Sequence, residues 1–289
     1  MKFFLKRVLQ LSTVFALGFG CVKIYDIYNE QKNSRYPAKK IDIINEKPFV
    51  VVIVGRDNNP FIEKSIHSVV SQNYKNFRII YLSNESANQR ILEIQENFGR
   101  ERFLIVHNDD DFVSFESMHK AIQNCADHEI VVLLDGVDFI SHEKVLNKLN
   151  KIYSTSPTWL TYGNYLDYPS YKQKNQNNKP IAKRVIFNNS FRKQEISSSY
   201  FNSFYAGLFK QIRKEDLCYK GGFLPASNPI AIIIPMLEMS GKHSRFIGEI
   251  MYLRNTAVSS ESEESLTIQE HIKSLPKYKR VQNLSFETN

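Results

Sequence analysis

The stretch EIVVLLDGVDFI, residues 129–140, places two carboxylates directly after a run of aliphatic residues. A continuous apolar run of this length predicts a strand that is buried on both faces. The strand delivers Asp135 and Asp138 to its carboxyl end, which is where ligands bind in parallel sheets. Carboxylates in such a place hold hard divalent cations that also contact phosphate oxygens. The alternative is a polar turn, because Asp and Gly favour turns on conformational grounds alone.

Strands and helices alternate before this stretch. Three further strands are predicted from apolar runs, at residues 49–54, 77–82 and 102–107. Three helices are predicted from apolar side chains repeated at helical spacing, at residues 61–73, 87–99 and 114–125. Alternation with short connections predicts an α/β chain with a mainly parallel central sheet and helices on both of its faces.

The second half of the chain is less regular. Helices are predicted at residues 142–153, 199–212 and 228–241, and strands at residues 158–166 and 245–255. Pro229 suits the first turn of the third of these helices. Residues 171–184 have no apolar periodicity, which predicts a loop.

The first 25 residues are predicted to be a signal peptide or a membrane anchor. Lys2, Lys6 and Arg7 precede an apolar run at residues 8–22, which is short for a bilayer span. An interfacial helix is the third possibility. We expect the protein to be membrane-associated through this segment, or exported if the segment is cleaved. A linker at residues 26–47, a folded domain at 48–255 and a polar tail at 256–289 complete the predicted organisation.

The net charge of +8 is concentrated in two places. Residues 1–47 hold nine Lys/Arg against four Asp/Glu, and residues 171–214 hold ten against one. No nucleic-acid-binding module accompanies this charge, so no nucleic-acid partner is expected. Three widely spaced cysteines without a C-x-x-C pair indicate neither a zinc site nor a disulfide framework. No G-x-G-x-x-G follows the first strand, which argues against a dinucleotide enzyme.

The chain resembles family 2 glycosyltransferases of the GT-A fold over about residues 49–255. Residues 49–86, FVVVIVGRDNNPFIEKSIHSVVSQNYKNFRIIYLSNES, are similar to the opening unit of that family, and SVVSQNYKNFRIIY at 68–81 is the most specific part. EIVVLLDGVDFI occupies the place of the aspartate-rich motif. The later segments resemble a bacterial and viral subgroup, of which the chain is identified as a diverged member.

The resemblance implies inverting transfer of a sugar from a nucleotide-diphosphate sugar to an acceptor hydroxyl, assisted by Mn²⁺ or Mg²⁺. The acceptor, whether a glycan, a lipid or a protein, stays open. Asp138 and Asp135 are the expected metal ligands. The expected donor-binding residues lie after the first, second and fourth predicted strands: Arg56, Asp57, Ser83, Asn84 and Asp135.

The chain also departs from the pattern of the family. Val137 stands where the motif commonly has an aspartate, and Asn228-Pro229 fills the place expected for the acidic general base. The nearest carboxylates downstream are Glu238 and Glu249. The alternative function is therefore a catalytically inactive protein of the same fold, which retains sugar or nucleotide binding or serves as an interaction module.

Other residues have both a functional and a structural interpretation. His243 is a candidate late metal ligand or an ordinary loop histidine, and Trp159 and Tyr162 belong to an acceptor wall or to the core. The three aspartates at residues 109–111 supplement a metal site or belong to a solvated loop. The basic residues of 172–193 close over a diphosphate or form a mobile, solvated loop.

Overall fold

The computed structural model describes residues 45–55, 59–83, 88–107, 113–172, 179–194, 201–258, 263–284 and 286. These residues belong to one compact unit that begins at Asn45. The predicted signal or anchor segment and nearly all of the predicted linker lie outside the described residues. Within the described ranges, no helix combines the length and the apolar character that crossing a membrane requires.

The first half of the unit alternates strand and helix as predicted. Its elements in chain order are β1 Phe49–Val54, α1 Ile62–Val70, β2 Phe77–Ser83, α2 Gln89–Phe98, β3 Phe103–His107, α3 Phe115–Gln123 and β4 Ile130–Asp135. All six residues of β1 are buried, in keeping with its continuous apolar sequence. The helices are shorter than predicted, since each begins and ends one or more residues inside its apolar pattern.

The second half contains shorter elements. They are β5 Phe139–Ile140, α4 Val145–Thr155, β6 Leu160–Tyr168, α5 Lys183–Asn188, β7 Phe201–Tyr205, α6 Ala206–Phe209, β8 Cys218–Tyr219, β9 Gly222–Phe223, α7 Ile230–Ser240, β10 Ser244–Asn255 and α8 Glu263–Ser274. Single 3₁₀ turns occur at Phe191–Lys193, Lys214–Leu217 and Gly241–His243.

One eight-stranded sheet carries the fold, in the order β3-β2-β1-β4-β7-β6-β10-β5. The four strands from β3 to β4 are parallel to their neighbours, and so are β6 and β10. β7 runs antiparallel between β4 and β6, and β5 runs antiparallel beside β10. Since two reversals restore the direction, β1, β4, β6 and β10 all end at the same edge. The sheet is therefore mixed and mostly parallel, as predicted.

The predicted helix at residues 199–212 is wrong. Phe201–Tyr205 forms β7, and only Ala206–Phe209 is helical. The strand inserts between β4 and β6, and all five of its residues are buried. Its Ser203 hydroxyl lies 2.6 Å from Thr161 Oγ1 and 3.0 Å from Tyr153 Oη, so this buried hydroxyl has hydrogen-bond partners inside the sheet. Pairing on both sides overrides the local helical pattern.

Two segments that we expected to be solvated are packed against the core. Residues 179–194 include α5, and Phe191 is fully buried. The predicted polar tail contains α8, whose Ile268 and Ile272 are buried, and Leu284 beyond it is buried as well. The apolar side chains of this tail are few and widely spaced. Composition alone therefore suggested solvent exposure.

Candidate functional site

Backbone hydrogen bonds join the ends of β2, β1 and β4. Val54 pairs with Asp135 in the parallel register of β1 and β4. The amide of Gly55 donates to Leu82 O at 2.7 Å, and the amide of Gly136 donates to Val54 O at 2.8 Å. These bonds continue both pairings for one residue beyond the strands and fix the floor of the carboxyl edge.

Gly136 is required at its position by a close approach of backbones. A Cβ built there would lie 2.8 Å from Val54 O and 2.9 Å from Ile62 Cδ1. The carbonyl of Gly136 accepts a hydrogen bond from Asn59 Nδ2 at 2.7 Å, which ties the segment after β1 to the turn after β4. The sequence suggested only a turn glycine, whereas the structure assigns it to the contact between two loops.

The residues Asp135 to Asp138 form a tight turn. The amide of Asp138 donates to Asp135 O at 2.9 Å, and the amide of Val137 donates to Asp135 Oδ1 at 3.3 Å. The Val137 side chain is buried, with 2% of its surface exposed, while Asp135 is half-buried at the edge. The turn interpretation and the strand-end interpretation of this motif therefore both apply.

The carboxylate of Asp138 faces β10. Its Oδ1 accepts from the amide of Asn255 at 2.7 Å, and its Oδ2 accepts from the hydroxyl of Tyr252 at 2.6 Å. Asp138 is 4% exposed, Tyr252 is 2% exposed and Asn255 is fully buried. Burial raises the pKa of the Tyr252 hydroxyl well above its ordinary value, and the carboxylates of Asp138 and Asp135 raise it further. The hydroxyl therefore stays protonated and donates.

These contacts decide how well the expected metal ligands fit Mn²⁺ or Mg²⁺. Both oxygens of Asp138 accept hydrogen bonds in a buried site, and the side chain of the neighbouring Val137 has no ligand atom. Across the part of the chain that the structure describes, no group of three or more His, Cys, Asp and Glu side chains is placed to hold a metal ion. Asp138 therefore does not fit the role of a cation ligand, whereas Asp135 keeps a half-buried carboxylate at the end of β4.

The structure brings together two of the predicted donor-binding residues. Ser83 ends β2 and is 4% exposed, and Asp135 ends β4, so the two flank the end of β1. Arg56, Asp57 and Asn84 lie outside the described residues, and so do the three aspartates at 109–111.

An ion pair at the same edge was not anticipated from the sequence. Arg254 and Asp167 are register partners on β10 and β6, and Arg254 Nη2 lies 2.6 Å from Asp167 Oδ1. The carboxylate of Asp167 is almost fully buried, and the Arg254 guanidinium lies 4.7 Å from the centre of the Tyr165 ring. The two residues are 87 positions apart in the sequence, and the pairing of β6 with β10 brings their charges together. No local sequence pattern therefore predicts this ion pair.

Aromatic side chains surround the turn on its outer side. The rings of Phe139 and Tyr168 are 5.2 Å apart between centres, and Tyr171 lies 5.8 Å from Tyr168. The ammonium group of Lys64 lies 4.0 Å from the centre of the Tyr168 ring. Tyr171 is 58% exposed, so this cluster forms part of the surface beside the edge.

The remaining residues that the sequence singled out have structural positions. His243 stacks on Trp159 at 4.1 Å, and its Nδ1 lies 2.7 Å from Pro157 O. It precedes β10, at the sheet edge opposite to Asp135, so it is remote from the candidate site. Trp159 and Tyr162 are buried in the core, and the Tyr162 hydroxyl accepts from the amide of Ile181 at 3.1 Å.

The two carboxylates nearest to the expected general-base position are both engaged. Glu238 is fully buried on α7 and is paired with Arg192. Glu249 lies on β10 and is paired with Lys148 of α4. At the start of α7, Asn228 is 8% exposed, and its amide donates to Pro225 O at 3.1 Å.

Comparison with solved structures supports the architecture. Staphylococcus aureus TarS, residues 1–349, in complex with UDP-GlcNAc is 14% identical with a TM-score of 0.54, over 79% of this chain and 61% of that one. The UDP complex of the same TarS fragment is 13% identical with a TM-score of 0.55, over 78% of this chain and 64% of that one. Glucosyl-3-phosphoglycerate synthase from Mycobacterium tuberculosis, in complex with Mg²⁺ and UDP, is 11% identical with a TM-score of 0.50, over 82% of each chain. The chain therefore spans less than two thirds of the TarS structures.

Comparison of sequences gives the family. No curated protein matches the chain in sequence. The model of the family described as glycosyl transferase family 2 matches residues 49–217, which run from β1 to the 3₁₀ turn before β8 and include the Asp135–Asp138 turn. This match covers more than half of the chain and includes β1, β2 and β4, whose ends carry Val54, Ser83 and Asp135. The chain therefore belongs to glycosyl transferase family 2 and has the GT-A fold.

Proposed function

We propose that the chain binds a nucleotide-diphosphate sugar at the carboxyl edge of β2, β1 and β4 and transfers the sugar to an acceptor hydroxyl. The observation that carries the proposal is the parallel alignment of Val54 with Asp135, which sets a half-buried carboxylate beside the end of β1. Ligands in parallel sheets bind at such an edge. TarS with UDP-GlcNAc and the mycobacterial synthase with UDP supply the donor class.

In the proposed reaction, the acceptor hydroxyl displaces the nucleotide diphosphate from the anomeric carbon of the sugar. The acceptor oxygen attacks from the face opposite the nucleotide diphosphate, the bond to the diphosphate breaks, and the acceptor proton passes to a base. This inverting course is the one that the resemblance implies. The mycobacterial synthase was solved with Mg²⁺.

The second candidate function is nucleotide or sugar binding without turnover. The engagement of Glu238 by Arg192 and of Glu249 by Lys148 favours it, because neither carboxylate is placed to accept a proton from an acceptor. Asn228 and Pro229 supply no base at the start of α7. The described residues thus support donor binding more strongly than they support catalysis.

Calorimetric titration of the full chain with UDP, GDP and UDP-sugars tests donor recognition. Binding that weakens at least tenfold in Asp135→Ala is the expected result, since the carboxylate at the edge is removed. Release of free sugar from a bound donor, or its transfer to added saccharides, then separates the enzyme from the binding protein. A chain that binds none of these nucleotides contradicts both the transferase function and nucleotide binding without turnover.

A further inference from the structure

Asp138 occupies the last position of the aspartate motif, yet its surroundings are those of a structural carboxylate. Its oxygens accept from Asn255 N at 2.7 Å and from Tyr252 Oη at 2.6 Å, and both donors belong to β10. Hydrogen bonds to an ionised acceptor are stronger than neutral ones. The Asn255 amide is buried with its residue, so losing Asp138 would leave this amide without its acceptor.

The same contact reaches a third strand. Asn255 follows Arg254, which is paired with Asp167 on β6. The turn after β4, the end of β10 and the end of β6 are therefore held in one arrangement, with Asp138 at its centre. An edge that binds a diphosphate needs such fixed backbone positions, because misplaced contacts lose affinity.

We propose that Asp138 is a positioning residue, which fixes the end of β10 against the turn after β4 and ligates no divalent cation. Nucleotide-diphosphate binding at this edge then depends on the hydrogen-bonding geometry of Asp138 and not on a cation that it holds. The inference rests on the proposed function for the identity of the nucleotide ligand. It departs from the metal-ligand role that the resemblance implied for this residue.

Val137 supports the inference independently. A cation site in this turn would draw on the side chains of neighbouring residues, and the one next to Asp138 is a buried aliphatic group. The Tyr252 hydroxyl supports the same inference, because it donates a hydrogen bond to Asp138 Oδ2 over 2.6 Å. Each donor hydrogen takes one of the about four lone pairs of a carboxylate, so the two donors on Asp138 leave fewer positions for a cation.

The experiment compares Asp138→Asn with Asp138→Ala in the full chain. UDP is titrated by calorimetry with EDTA and again with Mn²⁺. Asparagine keeps the acceptor for the Asn255 amide and removes the charge that a cation needs, whereas alanine removes both. We expect Asp138→Asn to retain UDP affinity within about threefold and Asp138→Ala to lose about tenfold or more, with the same pattern in both buffers.

The opposite pattern overturns the inference. If Asp138→Asn loses as much affinity as Asp138→Ala, and the loss occurs only with Mn²⁺, the residue is a metal ligand. Tyr252→Phe is the second variant, and it is needed if the alanine variant fails to fold. It leaves the carboxylate intact, so weaker UDP binding supports positioning, whereas unchanged UDP binding contradicts it.

A failure of the proposed function is distinguishable from a failure of this inference. If the unaltered chain binds neither UDP nor GDP, the proposed function fails and two other measurements decide the role of Asp138. Paramagnetic resonance then follows Mn²⁺ binding to the protein alone, and loss of bound Mn²⁺ in Asp138→Asn overturns the inference. Thermal unfolding of the single and double variants at Asp138 and Tyr252 supports it if their effects are less than additive.

Discussion

Arg192 and Glu238 form a bidentate ion pair in the interior, with Arg192 Nε and Nη2 each 2.9 Å from a different carboxylate oxygen of Glu238. Glu238 is fully buried on α7, and its Oε2 also accepts from the amide of Tyr278 at 2.9 Å. The Arg192 guanidinium donates further to Ile272 O in α8. One buried glutamate thus joins α7, the basic segment and the residues that follow α8.

We predict that Glu238→Gln lowers the free energy of unfolding by about 3–5 kcal/mol, because it leaves the Arg192 charge buried without its partner. Glu249→Gln is the matched control, since Glu249 pairs with Lys148 at the surface and such pairs contribute about 0–1 kcal/mol. Urea denaturation of both variants measures the difference. Equal stability of the two variants would show that the buried pair is not a structural anchor.

The contact between Gly136 and Val54 gives a second prediction. In Gly136→Ala the new methyl meets a backbone carbonyl, which cannot rotate away, so we expect a loss of about 1–3 kcal/mol of stability together with weaker UDP binding. Gly222→Ala is the control, because a Cβ there meets nothing within 4 Å. Thermal unfolding and UDP calorimetry compare the two. The packing argument fails if both substitutions have the same effect.

Val137→Asp tests whether the turn can be converted into a cation site. The side chain at this position is buried, so an unpaired carboxylate should cost about 3 kcal/mol of stability without metal. Mn²⁺ should then raise the melting temperature of Val137→Asp, with Asp135 as a second ligand. It should not do so for Val137→Asn, which is polar but uncharged. A shift with Mn²⁺ that is the same in both variants would contradict this prediction.

Alkaline pH should unfold the domain. Burial raises the pKa of Tyr74, Tyr153 and Tyr252 above the ordinary value, and for Tyr74 the Glu46 carboxylate adds to the effect. Above about pH 10 the hydroxyls of these tyrosines lose their protons in the unfolded chain but keep them in the folded protein. Stability should therefore be constant with respect to them below about pH 10 and fall as the pH rises beyond it.

Ultraviolet absorbance of tyrosinate, followed together with circular dichroism, checks the alkaline transition. The buried tyrosines should ionise only as the protein unfolds. Tyr153→Phe removes one of the linked protons, so its stability should decline less steeply with pH in the alkaline range. Full ionisation of all tyrosines while the circular dichroism stays native would contradict the prediction.

The start of the folded unit can be tested by two truncations. Removal of residues 1–44 should leave a cooperative domain, because the described unit begins at Asn45. Removal of residues 1–48 deletes hydrogen bonds from Lys47 N to Asn150 Oδ1, from Tyr74 Oη to Lys47 O and from Asn76 Nδ2 to Glu46 O. Each contributes about 1 kcal/mol. The shorter protein should melt at a lower temperature, and equal melting would place the boundary later.

The sequence predicted the strands of the parallel half to within about one residue. β1 is Phe49–Val54, as the apolar run indicated, and β4, Ile130–Asp135, is shifted by one residue from the strand predicted at 129–134. β1 and most of β4 are buried on both faces, so their apolar runs are continuous and easily recognised. The family resemblance rested on the same segments, and the family match confirmed it.

The antiparallel insertion was not predictable in the same way. Phe201–Tyr205 and the residues after it have aromatic side chains at spacings that suit a helix or a strand. Which state forms depends on the open edges of β4 and β6, and these are distant in sequence. Likewise, the few apolar side chains of α8 do not predict a packed helix from the sequence, because the surface of α7 against which they pack is known only from the fold.

By itself, the sequence determined the fold class, the family and the position of Asp135 at a strand end, because a continuous apolar run and the turn residues that end it are local properties of consecutive residues. Only the tertiary structure decided what the carboxylates do. Asp138 meets Asn255 and Glu238 meets Arg192, across separations of 117 and 46 residues. A carboxylate at a strand end is a cation ligand or a structural acceptor according to the donors that surround it, and those donors come from strands that only the folded sheet brings together.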